Sequence, residues 1–261
     1  MRRSLRRFAP AALLALALLG IWELYCDLGR VEAVLLPAPH SVASSLWDNA
    51  GLLAHNFAVT AEEVVLGLLL ALGAGLGMAV AIHLSPLLRR AFYPLAVGSQ
   101  AVPIPVIGVL LVFWWGFGIF PKLVVIALIC FFPVLVTTID ALASLDPERA
   151  KLLRTLDASR WQTLRFAELP AAVPAALSGA RIALAVGVIG AFIAETSTPT
   201  TGTYTGLGRE IVLDAGGFQT ARAYAATALL FGFAIACFYS LSAAERRLAP
   251  WRRATAAGVA R

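Results

Sequence analysis

The chain has 261 residues, of which 60% are hydrophobic and only 14% charged, with a mean hydropathy of +0.82. A soluble domain carries about 25% charged residues, so the solvent for much of this chain is lipid. Its net charge of +6 does not indicate nucleic acid, because the cations avoid the apolar runs and gather at their ends, a topogenic pattern.

The first apolar run covers residues 8–26 and follows Arg2, Arg3, Arg6 and Arg7. Its length rises about 28 Å as a helix, close to the hydrocarbon thickness. A secretory signal peptide looks similar. No small-x-small site closes this run, however; Trp22, Glu23, Leu24 and Tyr25 stand there, and a retained helix is expected. Residues 34–49 are too polar and too short to span. They predict a turn followed by an amphipathic helix at the outer interface, with Trp47 at the boundary.

Five more runs follow, at 57–84, 91–115, 123–142, 175–196 and 223–241. The pattern predicts an all-α membrane protein with six transmembrane helices and both termini in the cytoplasm. That topology places 17 of the 21 cations inside and leaves Arg30, Lys122, Arg209 and Arg222 outside. The corresponding domains are an N-terminal tail with the first helix (1–33), an outer interfacial segment (34–56), a core (57–248) and a basic tail (249–261).

Gly73 and Gly77 in the second run have small-xxx-small spacing, which predicts close helix packing within one subunit ahead of a seam between subunits. The third run contains Pro94, Pro103 and Pro105. Each proline removes a backbone donor, and a broken helix in lipid survives only against protein or a water-filled path. Ser99, Gln100, Pro103 and Pro105 are therefore candidate pathway residues, with a structural kink as the competing reading. Pro133 invites the same comment more weakly.

Residues 148–170 interrupt the membrane sequence with five cations, Arg149, Lys151, Arg154, Arg160 and Arg165. Leu152, Leu153 and Leu156 form one apolar stripe at helical spacing; Trp161, Leu164 and Leu169 form another. Such a face fits a groove on a partner or packs on the chain's own helices.

Several chemistries have no support. The two lysines, Lys122 and Lys151, complete no G-x-x-x-x-G-K-[ST] loop, so the chain holds no ATP by itself. The three cysteines form no metal-ligand spacing or disulfide framework. His40, His55 and His83 form no metal motif, and no catalytic set is visible. Asp140, Glu62, Glu63 and Glu195 read as helix-end charges that reach an interface, so no proton relay is apparent. Glu195 keeps interest because it precedes an irregular outer loop.

The charged island resembles the EAA loop of permease subunits in ATP-binding-cassette importers, whose pattern is roughly E-A-A-x-x-x-G, then nine residues, then I-x-L-P. Glu148, Arg149 and Ala150 are read as the opening triplet with one change, and Asp157 stands at the glycine. Ala167, Glu168, Leu169 and Pro170 close the motif. Other stretches resemble the nitrate/sulfonate/taurine branch: residues 35–42, 99–122, 169–184, 194–195 and 206–208.

The resemblance covers residues 34–248 and implies a type I importer permease with a cytoplasmic coupling helix. Glu148, Ala150, Leu153, Leu156, Asp157, Ala158, Trp161, Leu169 and Pro170 would couple to the ATPase. The implied partners are two ATP-binding subunits carrying ATP and Mg, a second permease subunit (commonly a second copy), a periplasmic or lipid-anchored binding protein, and the bilayer. Glu195 joins the pathway candidates. Thr201, Tyr204, Gly206 and Gly208 lie where a gate or docking surface would be, in a loop about four residues longer than the family's usual spacing.

Two departures stand out: that loop, and Asp157. Aspartate visits the left-handed region at modest cost, and it also suits capping a helix that starts at Ala158. The implied solute is a sulfonate, taurine, nitrate, or a vitamin precursor of thiamine-pyrimidine or riboflavin type. An ion-coupled secondary transporter and a membrane-embedded enzyme or assembly factor are the rival classes.

Overall fold

The computed structural model describes residues 2–29, 31–99, 102–144, 147–198 and 204–248. Every regular element among them is helical: α1 (Arg2–Asp27), α2 (Pro39–Asp48), α3 (Ala50–Leu84), α4 (Pro86–Ser99), α5 (Ile104–Trp115), α6 (Ile119–Ala143), α7 (Pro147–Thr155), α8 (Arg160–Thr163), a π-helical turn (Leu164–Glu168), α9 (Leu169–Ser197), α10 (Leu207–Gly216) and α11 (Thr220–Leu248).

Among the described residues, four helical segments are long and apolar enough to cross a membrane: Ala50–Leu84, Ile119–Ala143, Arg160–Ser197 and Thr220–Ala243. The run expected to span at 91–115 is not one helix. α4 stops at Ser99 and α5 starts at Ile104, with Pro103 as its N-cap and a proline in its first turn. Prolines lack the donors a continuing helix needs but fit a helix start, where those donors are unused anyway. α5 ends at Gly116, whose φ of 73° suits glycine.

The chain divides into two compact units. One holds residues 1–59 and 205–231, the other residues 60–204 and 232–261. In the first, α1 leads to the short helix α2, whose Trp47 is 83% exposed. Leu53, Leu207, Ala225 and Ala226 form its buried cluster. α10 is tied down by polar contacts. Asn56 donates to Glu210 at 3.2 Å, and the Arg222 guanidinium grips both carboxylate oxygens of Asp214 and approaches Glu210 at 3.4 Å. Arg222 thus serves as an internal ion-pair partner besides any topogenic role.

In the second unit α6 and α9 form the most extensive helix pair. Gly179, Gly187 and Gly190 of α9 face Thr137, Cys130 and Ile129 of α6, and the Cys130 thiol donates to the Ala183 carbonyl at 3.1 Å. α3 packs on α6 through Gly67 and Gly75. A Cβ at Gly67 would meet Ile126 at 2.6 Å, and one at Gly75 would meet Val134 at 2.9 Å. Gly73 and Gly77 have open space around them, so the glycines that admit the neighbouring helix are not the expected pair. The spacing rule found small residues but not the face they lie on.

Candidate functional site

The charged island folds as α7, a tight turn, α8 and the π-helical turn that feeds α9. α7 ends in a left-handed residue: Asp157 has φ 51°. The Ala158 amide donates to the Leu153 carbonyl at 3.1 Å, the long return bond of a Schellman-type terminus. Asp157 therefore keeps the conformation glycine usually supplies there. It does not cap the next helix, which starts at Arg160 rather than Ala158. Ser159 is the cap, and Ser159 and Gln162 form a reciprocal capping box.

The two apolar stripes have separate uses. Leu164 is fully buried with Ile82, Leu135, Leu142 and Ala172, and Leu169 packs on the same cluster. Leu152, Leu156 and Trp161 are 61%, 69% and 59% exposed, and Leu153 is half-buried. Phe166, which the stripe pattern missed, is also exposed at 72%; two positions on from the buried Leu164, it lies on the other side of the helix. Glu148 is exposed, Ala158 half-buried and Pro170 exposed; the side chains of Arg149, Ala150 and Arg154 lie outside the described residues.

The island is rooted in its own unit by polar contacts. His83 on α3 bonds Glu168 at 2.8 Å, and Arg160 donates to the His83 carbonyl at 3.0 Å. Counting back from Asp157 puts Lys151, Leu152 and Leu153 at the opening triplet of the EAA pattern. Glu148, Arg149 and Ala150 lie one helical turn too early, so the resemblance rests on the second half of the motif.

The pathway candidates separate. Gln100, like Thr201, lies outside the described residues, and so does the Ser99 side chain. Pro103 is exposed. Pro105 lines an apolar groove of about 580 Å³ with Val106, Val109, Phe113, Phe117 and Thr196. Glu195 is not in that groove. Tyr204 is exposed, while Gly206 caps α10 and is buried with Gly208.

Glu63, Glu195 and Lys122 correct the sequence reading most. None reaches an interface: all three are fully buried. Lys122 Nζ donates to Glu63 Oε1 at 2.7 Å and to the Tyr204 carbonyl at 2.8 Å. Thr60 donates to Glu195 at 2.7 Å. A charged side chain is buried only when partnered, and the partners here are 59 or more residues apart in sequence. Glu62 and Asp140 do remain exposed. At the other end of the chain, Glu23, Asp27 and His40 bring donor atoms within 4.8 Å of one another, with Glu23 and His40 already bonded together.

Residues 71–253 match the family of binding-protein-dependent transport system inner membrane components. The chain belongs to that family. The permease is 32% identical to the riboflavin transport system permease protein of Chloroflexus aurantiacus, over 95% of this chain and 94% of that one. It is 30% identical to the formylaminopyrimidine transport permease protein of Halalkalibacterium halodurans, over 97% and 99%. It is 32% identical to the taurine transport system permease protein of Escherichia coli, over 90% and 86%. The permease is therefore a multi-pass inner-membrane subunit of an ATP-binding-cassette importer, not an enzyme. Membership in such a system implies ATPase and binding-protein partners, and it does not favour the ion-coupled alternative.

Proposed function

We propose that this permease, as a pair of copies, forms the pathway through which a small organic or oxyanionic solute enters the cytoplasm, driven by two ATPase subunits. Each copy has six spans with both termini inside, the broken α4–α5 stretch counting as one. The ATPases hold ATP and Mg; this chain holds neither. A periplasmic or lipid-anchored binding protein delivers the solute at the loop segment to which Tyr204, Gly206 and Gly208 belong. The solute is a sulfonate, taurine, nitrate or vitamin precursor. The riboflavin and formylaminopyrimidine relatives favour the heterocyclic end of that range.

One observation carries the mechanism. Leu152, Leu156, Trp161 and Phe166 are exposed on a rigidly terminated turn whose next residue inward, Leu164, is buried in the core of the spans. An apolar face outside the membrane, built on a lever anchored inside it, suits a partner's groove. Displacement of that face by the ATPases would reach α9 through the π-turn and α3 through His83–Glu168.

The test is co-purification with the cognate ATPase subunit, followed by reconstitution into liposomes. ATP hydrolysis stimulated by the binding protein and accompanied by solute uptake is expected. Uptake that persists without the ATPase overturns the reading.

A further inference from the structure

Lys122 has the largest fully buried side chain among the described residues, and nothing in the coupling mechanism above uses it. It stands in the first turn of α6, following Pro121. An ammonium carries three donors on a flexible stem, and burial is expensive unless those donors are met. Here they hold two separate pieces of chain: the Glu63 carboxylate of α3 and the backbone carbonyl of Tyr204, the turn residue between α9 and α10.

Behind Glu63 stands a second carboxyl, Glu195 near the end of α9, close enough to interact with it and itself held by Thr60. Glu63 Oε2 has no hydrogen-bond partner. A lysine placed only to mark an interface would keep its head in water. This one instead joins α3, α6 and the Tyr204 turn at one buried point.

We propose that Lys122 is a pin: it closes the Tyr204 segment onto α3 and α6, with Glu195 and Thr60 keeping Glu63 in place, and transport depends on that closure. The proposal rests on the importer reading, in which the Tyr204 segment lies where an outer gate or docking surface would be. Lys122 is a positioning residue and touches neither solute nor ATPase.

The backbone bond gives the pin a signature that transport alone does not. Lys122→Met removes it but leaves two buried carboxyls together, so the variant is compared with Lys122→Met/Glu63→Gln, which relieves that imbalance without restoring the bond to Tyr204.

The experiment is hydrogen exchange on the reconstituted importer, followed by solute uptake and ATP hydrolysis on the same samples. In both variants lacking Lys122, peptides containing residues 204–206 are expected to exchange about tenfold faster while the α6–α9 peptides keep their protection. Uptake is expected to fall about tenfold or more, and hydrolysis much less, so that the two uncouple. Unchanged exchange at 204–206 in Lys122→Met/Glu63→Gln, or normal uptake in it, overturns the pin. If the unaltered complex shows no ATP-dependent uptake while the exchange difference persists, the importer reading fails and the closure of Tyr204 by Lys122 stands.

Discussion

Lys122 Nζ lies 2.7 Å from Glu63 Oε1, and the protein itself shields both side chains completely. A buried pair of this kind contributes little over an apolar pair of the same shape, but losing one partner leaves the other charge stranded. Lys122→Met is therefore expected to destabilise the permease by about 3–5 kcal/mol. Lys122→Met/Glu63→Gln recovers most of that loss. Thermal unfolding in detergent micelles measures both, and a double variant no more stable than the single one contradicts the stranded-charge account.

Asp157 occupies a backbone conformation that glycine adopts more cheaply. Asp157→Gly should be neutral or stabilising by about 1 kcal/mol and should retain ATPase co-purification. Asp157→Val places a β-branched side chain at φ 51° and should lower the melting temperature. Loss of co-purification in Asp157→Gly would show that the carboxylate, not the turn, makes the contact.

The exposed and buried members of the coupling segment should behave oppositely. Leu156→Asp and Trp161→Ala are expected to abolish ATPase co-purification with the melting temperature unchanged. Leu164→Ala empties a fully buried site and should cost about 2–5 kcal/mol. A binding loss that tracks stability in all three would remove the distinction.

The glycines of α3 offer a steric control. Gly75→Val drives a side chain into Val134, where even a Cβ comes within 2.9 Å, and should destabilise by about 1–3 kcal/mol. Gly77→Val meets open space in the chain and should leave the melting temperature of the isolated subunit unaltered. Equal effects would mean that α3 and α6 approach elsewhere.

Glu210 on α10 makes stability depend on pH. Burial pushes its carboxyl above the ordinary range, with the nearby charge of Asp214 adding to the shift; Arg222 and the Asn56 amide oppose it. Between the unfolded value and this raised folded value, the native state binds more protons than the unfolded state. The contribution of Glu210 to stability therefore falls as pH rises through that window. Glu210→Gln should flatten that part of the curve, as melting temperatures recorded from about pH 4 to 8 would show.

The membrane class was legible in the sequence because lipid demands long uncharged helices, and those leave runs that composition alone reveals. The coupling segment was legible for a related reason: its charges interrupt the runs, and Asp157 sits at a turn few residues tolerate. Phe166 escaped notice because the stripes collect residues that share one helix face, and Phe166 lies two positions from Leu164, on the other side. Gly67 and Gly75 escaped because spacing along one helix does not say which face meets a neighbour.

By itself, then, the sequence determined that the chain is apolar and helical enough for a multi-pass membrane protein and that a charged segment interrupts its apolar runs. The tertiary structure decided which groups are spent internally. Leu164 belongs to the core while Leu156 and Trp161 do not. Lys122, Glu63 and Glu195 are partners rather than helix-end charges. The reason is physical: hydropathy and helical period are local properties of a chain, whereas the partner that makes a buried charge tolerable is brought from a distant segment only when the helices pack.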